Sequence, residues 1–101
     1  MPTYEFVTIL DETAMYTVLF ITVKGRVRGF IVRLRAYIGG MWHEVRRYDT
    51  AHGTPHIDVL NWRGRTIEKL WLPQLTPSDA LTFAIEDIKA NYQTYIRRFA
   101  A

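Results

Sequence analysis

Leu72-Pro73-Gln74-Leu75-Thr76-Pro77-Ser78-Asp79-Ala80-Leu81 is where this chain changes its kind of structure. β-type sequence runs up to it, and a helix starts inside it. Pro73 and Pro77 bring sheet pairing to an end, because proline offers no N–H to a strand ladder. Thr76 is a good N-cap, Pro77 suits the first helical position, and Asp79 stands where a capping-box acid belongs. Leu81, Ile85, Ile88, Tyr92, Tyr95 and Phe99 then recur at spacings of four and three, which predicts one apolar stripe on a helix over residues 77–99. Asp79, Glu86 and Asp87 sit toward its start and Arg97 and Arg98 near its end, as the helix dipole favours. Tyr92, Tyr95 and Phe99 are expected to serve as core or dimer contacts, not as a stacking platform for bases.

Upstream, residues 4–72 read as strands. Tyr4–Leu10 and Met15–Val23 are rich in aromatic and β-branched residues and are separated by the polar turn Asp11-Glu12-Thr13. Lys24-Gly25 reverses the chain. In the third segment, Val27–Ile38, Phe30, Val32 and Leu34 alternate with Arg33 and Arg35, the period of a strand with one buried face. Gly39-Gly40 is a strong hairpin signal. Met41–Thr50, Pro55–Asn61 and Arg65–Leu72 complete the set, with a turn at Asn61-Trp62-Arg63-Gly64. The expected architecture is α+β: a single domain over residues 1–101, with an antiparallel meander of five to six strands and one C-terminal helix packed on one face. One helix covers one face only, so a homodimer that buries the other is expected.

Composition narrows the function classes. With 101 residues there is room for one core, and 49% hydrophobic residues with 14 aromatics make a folded globule the expected state. The absence of cysteine excludes disulfides, thiolate metal sites and thiol nucleophiles. No basic-then-apolar leader and no apolar run of membrane-spanning length is present, so a cytoplasmic protein without membrane contact is expected. The net charge of +3 comes mostly from arginine, ten Arg against three Lys, whose planar fork suits phosphate as well as carboxylate.

Chemistry concentrates in Arg47-Tyr48-Asp49-Thr50-Ala51-His52-Gly53-Thr54-Pro55-His56-Ile57-Asp58. If Gly53-Thr54 centres a symmetric hairpin, Asp49 faces Asp58 and Arg47 faces Leu60; a symmetric turn at Asn61–Gly64 then sets His56 against Lys69. One face of three strands would display Arg47, Asp49, His56, Asp58 and Lys69, with Tyr48, Ile57 and Val59 on the other. Two opposed carboxylates repel, so a cation or a proton is required between them. Such a group suits metal-free RNA cleavage, with His52 and His56 as base and acid, Asp58 or Asp49 orienting an imidazole, and Arg47, Lys69 and Tyr48 holding substrate. The same residues also suit a solvated or interface face, or a metal held by His52, His56 and an aspartate. His43 is expected to be an exposed bystander.

This segment resembles small uncharacterised prokaryotic domain-of-unknown-function proteins. They share a pattern like Arg47-Tyr48-Asp49-Thr50-Ala51-His52-Gly53 followed by His56 and Asp58, and a C-terminal helix like Ala80–Asn91. Its Tyr-Asp-x-x-His-x-x-x-His arrangement is also distantly similar to TumE-type toxin components of toxin–antitoxin modules, small basic proteins taken to act on RNA. The second resemblance implies a toxin-like, metal-independent ribonuclease with His52, His56 and Asp58 as inherited positions, no cofactor and no metal. RNA and an antitoxin protein would be its partners. The alternative is a non-catalytic sheet/helix module that dimerises or binds a protein partner.

Overall fold

The computed structural model describes residues 1–101. Strands β1 (Thr3–Asp11), β2 (Ala14–Val23), β3 (Arg26–Ile38), β4 (Met41–Asp49), β5 (His56–Leu60) and β6 (Thr66–Trp71) precede helix α1 (Pro77–Ala100). The strands form one sheet in sequence order, and every neighbouring pair is antiparallel. The expected α+β meander with one C-terminal helix is therefore the observed fold. Between β3 and β4, Gly39 and Gly40 have φ of 61° and 85°. A tight reversal with two positive-φ positions matches the twist of the strands it joins, and glycine adopts it without a Cβ clash.

Alternation along the strands decides the two faces. Tyr16 and Val18 of β2, Phe30, Val32 and Leu34 of β3, Tyr48 of β4 and Ile57 of β5 are buried against Ala80, Ala84 and Ile88 of α1. Each large apolar side chain buried there contributes roughly 1.5–3 kcal/mol. Ala80 and Ala84 are fully buried between helix and sheet, where a larger side chain would overpack. Tyr92, Tyr95 and Phe99 pack against the same core, so the aromatic stripe is a core feature. Thr76 Oγ1 accepts the Asp79 N–H at 3.1 Å, the cap read from the sequence.

A bulge in β4 reshapes its first half. Leu34 pairs with Arg46 and Arg35 with Glu44, so Val45 is an extra residue. Val45 and Arg46 both turn to the helix side, and Glu44 reaches the open face, where it meets Arg33 and Arg47. His43 is also placed differently from expectation. It is half-buried near Phe99 at the end of α1, with its Nε2 3.2 Å from the Ile38 carbonyl oxygen. No helix of the chain is long and apolar enough to cross a membrane.

Candidate functional site: a His/Asp cleft on the open sheet face

The connection from Thr50 to Pro55 decides which residues meet. Ala51–Gly53 form a short 3₁₀ turn, with the Gly53 N–H donating to Thr50 O at 2.9 Å and the Ala51 N–H to Asp49 Oδ1 at 2.8 Å. Thr50 Oγ1 accepts the Phe30 N–H at 3.0 Å and ties the loop to β3. The connection Thr50–Pro55 is centred between His52 and Gly53, one position earlier than a turn centred on Gly53-Thr54, so Asp49 pairs with His56 and Arg47 with Asp58. On the next ladder Asp58 pairs with Lys69 and His56 with Trp71. The pairing of Asp49 with Asp58 and of His56 with Lys69 expected from symmetric turns is thereby corrected. An even displacement leaves each side chain on its own face, so Arg47, Asp49, His56, Asp58 and Lys69 still converge.

His56 lies at the centre, only 2% exposed. Its Nδ1 is 3.0 Å from the Thr54 carbonyl oxygen, which can only accept, so Nδ1–H donates. Its Nε2 is 3.0 Å from Asp49 Oδ1 and 3.7 Å from Asp58 Oδ2. Nε2 thus stands between two carboxylates, whose charge Arg47 and Lys69 balance. Arg47 spans the group, with Nε 3.3 Å from Asp49, Nη2 3.2 Å from Asp58 and Nη1 3.6 Å from Glu44. Burial alone would lower the Arg47 pKa, but the Asp58 hydrogen bond and the charges of Glu44, Asp58 and Asp49 outweigh it and hold the guanidinium above its ordinary value. Buried Asp58 Oδ1 has no hydrogen-bond donor in the chain; its nearest cation is Lys69 Nζ at 3.4 Å.

These groups form one wall of a cleft of about 560 Å³. Leu19, Ile21 and Ile31 form an apolar part of the lining, and Arg33 and His52 also border it. His52 is exposed, and its φ of 66° holds it in the left-handed region beside Gly53. Trp71 packs on the His56 ring with centroids 5.0 Å apart. Trp71, Glu44 and Arg33 are site residues that the sequence did not single out. Trp71 and Glu44 depend on ladder register and on a bulge, which leave no local signature.

Tyr48 is not brought to the cleft. It lies on the helix side, where its hydroxyl donates to Asp87 Oδ2 at 2.6 Å and accepts from Arg46 Nε at 2.9 Å. Asp87 also accepts from the Tyr95 hydroxyl at 2.8 Å and from Asn91 Nδ2 at 2.9 Å. Arg46 stacks over the Tyr95 ring at 3.9 Å. Strand alternation explains the placement: Tyr48 lies between Arg47 and Asp49 and must point the opposite way. Burial, reinforced by Asp87, pushes the Tyr48 and Tyr95 phenols above their ordinary pKa, while Arg46 pulls the other way. This network is a latch between β4 and α1.

Asp49, His56 and Asp58 also present ligand atoms within 4.8 Å of one another. The Nδ1–H···O=C contact of His56 is of the kind that metal-bound imidazoles make. A divalent cation there would have to displace Arg47 and Lys69 from the two carboxylates, so the residues present fit an internally compensated ion cluster better than a metal centre.

No curated protein and no solved structure matches the chain. One family model matches residues 1–101, that of a domain of unknown function, DUF7718. From its first residue to its last, the chain belongs to the DUF7718 family.

Proposed function

We propose that the cleft acts on RNA as a toxin-like ribonuclease of a toxin–antitoxin module. The observation that carries this reading is the pairing of an apolar lining (Leu19, Ile21, Ile31) with Arg47, Lys69 and two imidazoles in one cleft. A nucleotide offers the matching parts: a base, an anionic phosphate and a 2′-hydroxyl that can be deprotonated, the group that separates RNA from DNA. The similarity of the Tyr48–His56 segment to TumE-type toxins points the same way.

In this mechanism exposed His52 takes the proton of the 2′-hydroxyl, whose oxygen bonds to phosphorus. The bond from phosphorus to the 5′-oxygen breaks, and His56 Nε2 returns a proton to that oxygen in exchange for its Asp49 contact. Arg47 and Lys69 stabilise the charge that builds on the phosphorane. Asp49 and Asp58 orient the His56 ring. A positioned acid or base contributes about 10²–10⁴-fold, so His56→Ala and His52→Ala should each lower the rate by that order.

The test is incubation of the purified protein with single-stranded RNA, with and without EDTA, beside His56→Ala. Cleavage that survives EDTA and vanishes in the variant supports the proposal. No cleavage by the wild type, or undiminished cleavage by the variant, refutes it, and loss with EDTA transfers the chemistry to a metal at Asp49, His56 and Asp58.

A second reading draws on edge strand β1, where Tyr4, Phe6, Val7 and Ile9 are exposed. An apolar strand edge with little charge invites pairing with another chain. In that case the protein is a non-catalytic module that dimerises or binds a protein partner.

A further inference from the structure

Resting on the RNA reading above, we propose that the open sheet face is a binding track for single-stranded RNA, with exposed aromatic side chains as base-stacking positions on both sides of the cleft. Trp71, paired with His56, stands at one end and is 52% exposed. Tyr37 and Trp42, paired on β3 and β4, stand at the other, 45% and 42% exposed, with ring centroids 5.4 Å apart. Neither set has a hydrophobic-core role, since the core lies on the opposite face. Tyr37 is six positions along β3 from Ile31, which is on the same cross-strand level as Asp49, His56 and Trp71. At the rise of a β-strand this is about 20 Å along the strands, and the two to three strand spacings between them add about 10–14 Å sideways, enough for a strand of several nucleotides to cross the cleft.

Charge along the track fits a polyanion. Arg33 and Arg35 of β3, Arg47 of β4 and Lys69 of β6 occupy the space between the rings, and Arg35 makes no ion pair. The carboxylates Asp49 and Asp58 lie beneath, buried, while Lys69 is exposed above them and approaches the Trp71 ring at 5.3 Å. Glu44, part-exposed on the same face, is paired with Arg33 and Arg47. Unpaired Arg35 and exposed Lys69 are thus the cations left to a ligand beside the aromatic rings, the combination that holds single strands with little sequence preference. A duplex hides its base faces and cannot use the rings. A single strand can.

The experiment uses a fluorescein-labelled, 2′-O-methylated oligouridylate, which has no free 2′-hydroxyl and cannot be cleaved, and measures affinity by anisotropy. The intact chain should bind it more tightly than a matching duplex. Trp71→Ala and Trp42→Ala should each weaken binding by about 5- to 100-fold, while Phe83→Ala, an exposed aromatic on α1, should not. Arg35→Gln should make the salt dependence shallower by roughly 0.7 in the slope of log affinity against log salt. Circular dichroism of each variant separates lost binding from lost folding. Affinity unchanged by both tryptophan variants, equal affinity for duplex, or no binding at all overturns the track. Binding with the expected losses but no cleavage of ordinary RNA retires the nuclease and leaves the track standing. Cleavage with affinity indifferent to Trp42 and Trp71 does the reverse.

Discussion

Tyr48→Phe removes a single oxygen and tests whether this residue is a latch or a substrate contact. The hydroxyl makes two charge-assisted hydrogen bonds, donating to Asp87 Oδ2 at 2.6 Å in a part-buried contact and accepting from buried Arg46 Nε at 2.9 Å. Bonds to charged partners are worth about 1.5–3 kcal/mol each. Arg46 Nη2 already stands 3.7 Å from Asp87 and can close on it once the hydroxyl is gone. Asp87 also keeps its bonds from Tyr95 and Asn91. Partial re-pairing puts the expected loss near the low end, about 2 kcal/mol. For a domain of this size that lowers the urea midpoint by about 1 M. Because Tyr48 faces the helix, RNA cleavage per folded molecule should be unchanged. A stability loss under about 0.5 kcal/mol, or lost activity in a fully stable variant, would refute the latch.

The same network predicts alkaline weakening. Burial, with help from Asp87, keeps the Tyr48 and Tyr95 phenols protonated above the pH at which an unfolded tyrosine ionises. The unfolded chain therefore releases protons first, and stability, full below about pH 10, should fall as pH rises past it. Urea unfolding at about pH 8 and about pH 11 should show this drop, smaller in Tyr48→Phe. Arg47→Met strands buried Asp49 and Asp58 and should cost about 3–5 kcal/mol by chemical denaturation; a loss under about 1 kcal/mol would mean that Lys69 and His56 suffice. His56→Ala should destabilise by about 2 kcal/mol or more, whereas exposed His52→Ala should cost about 1 kcal/mol or less, by the same measurement. Equal losses would place both rings in the structural network.

The sheet and helix were legible because their signals are local. The alternation of Phe30, Val32 and Leu34 with Arg33 and Arg35 needs only the two-residue period, and the Thr76–Pro77 start of α1 needs only the cap and the stripe beyond it. The face shared by Arg47, Asp49, His56, Asp58 and Lys69 was legible for the same reason, since strand parity survives an even slip. The opposing partners were not. Whether Asp49 meets Asp58 or His56 depends on the hydrogen bonds of the Thr50–Gly53 turn, made by Thr50 and Asp49 themselves. The Val45 bulge swings Glu44 onto the open face without any glycine to announce it. The contact of Tyr48 with Asp87 depends on how α1 is rotated over β4, which no window of sequence contains.

The most direct test of the proposed chemistry is the structure of the RNA ends. Mass spectrometry of RNA cut in the presence of EDTA should find 2′,3′-cyclic phosphate and 5′-hydroxyl termini, absent with His52→Ala. Termini bearing a 3′-hydroxyl, or no cleavage, would contradict attack by a 2′-hydroxyl in this cleft.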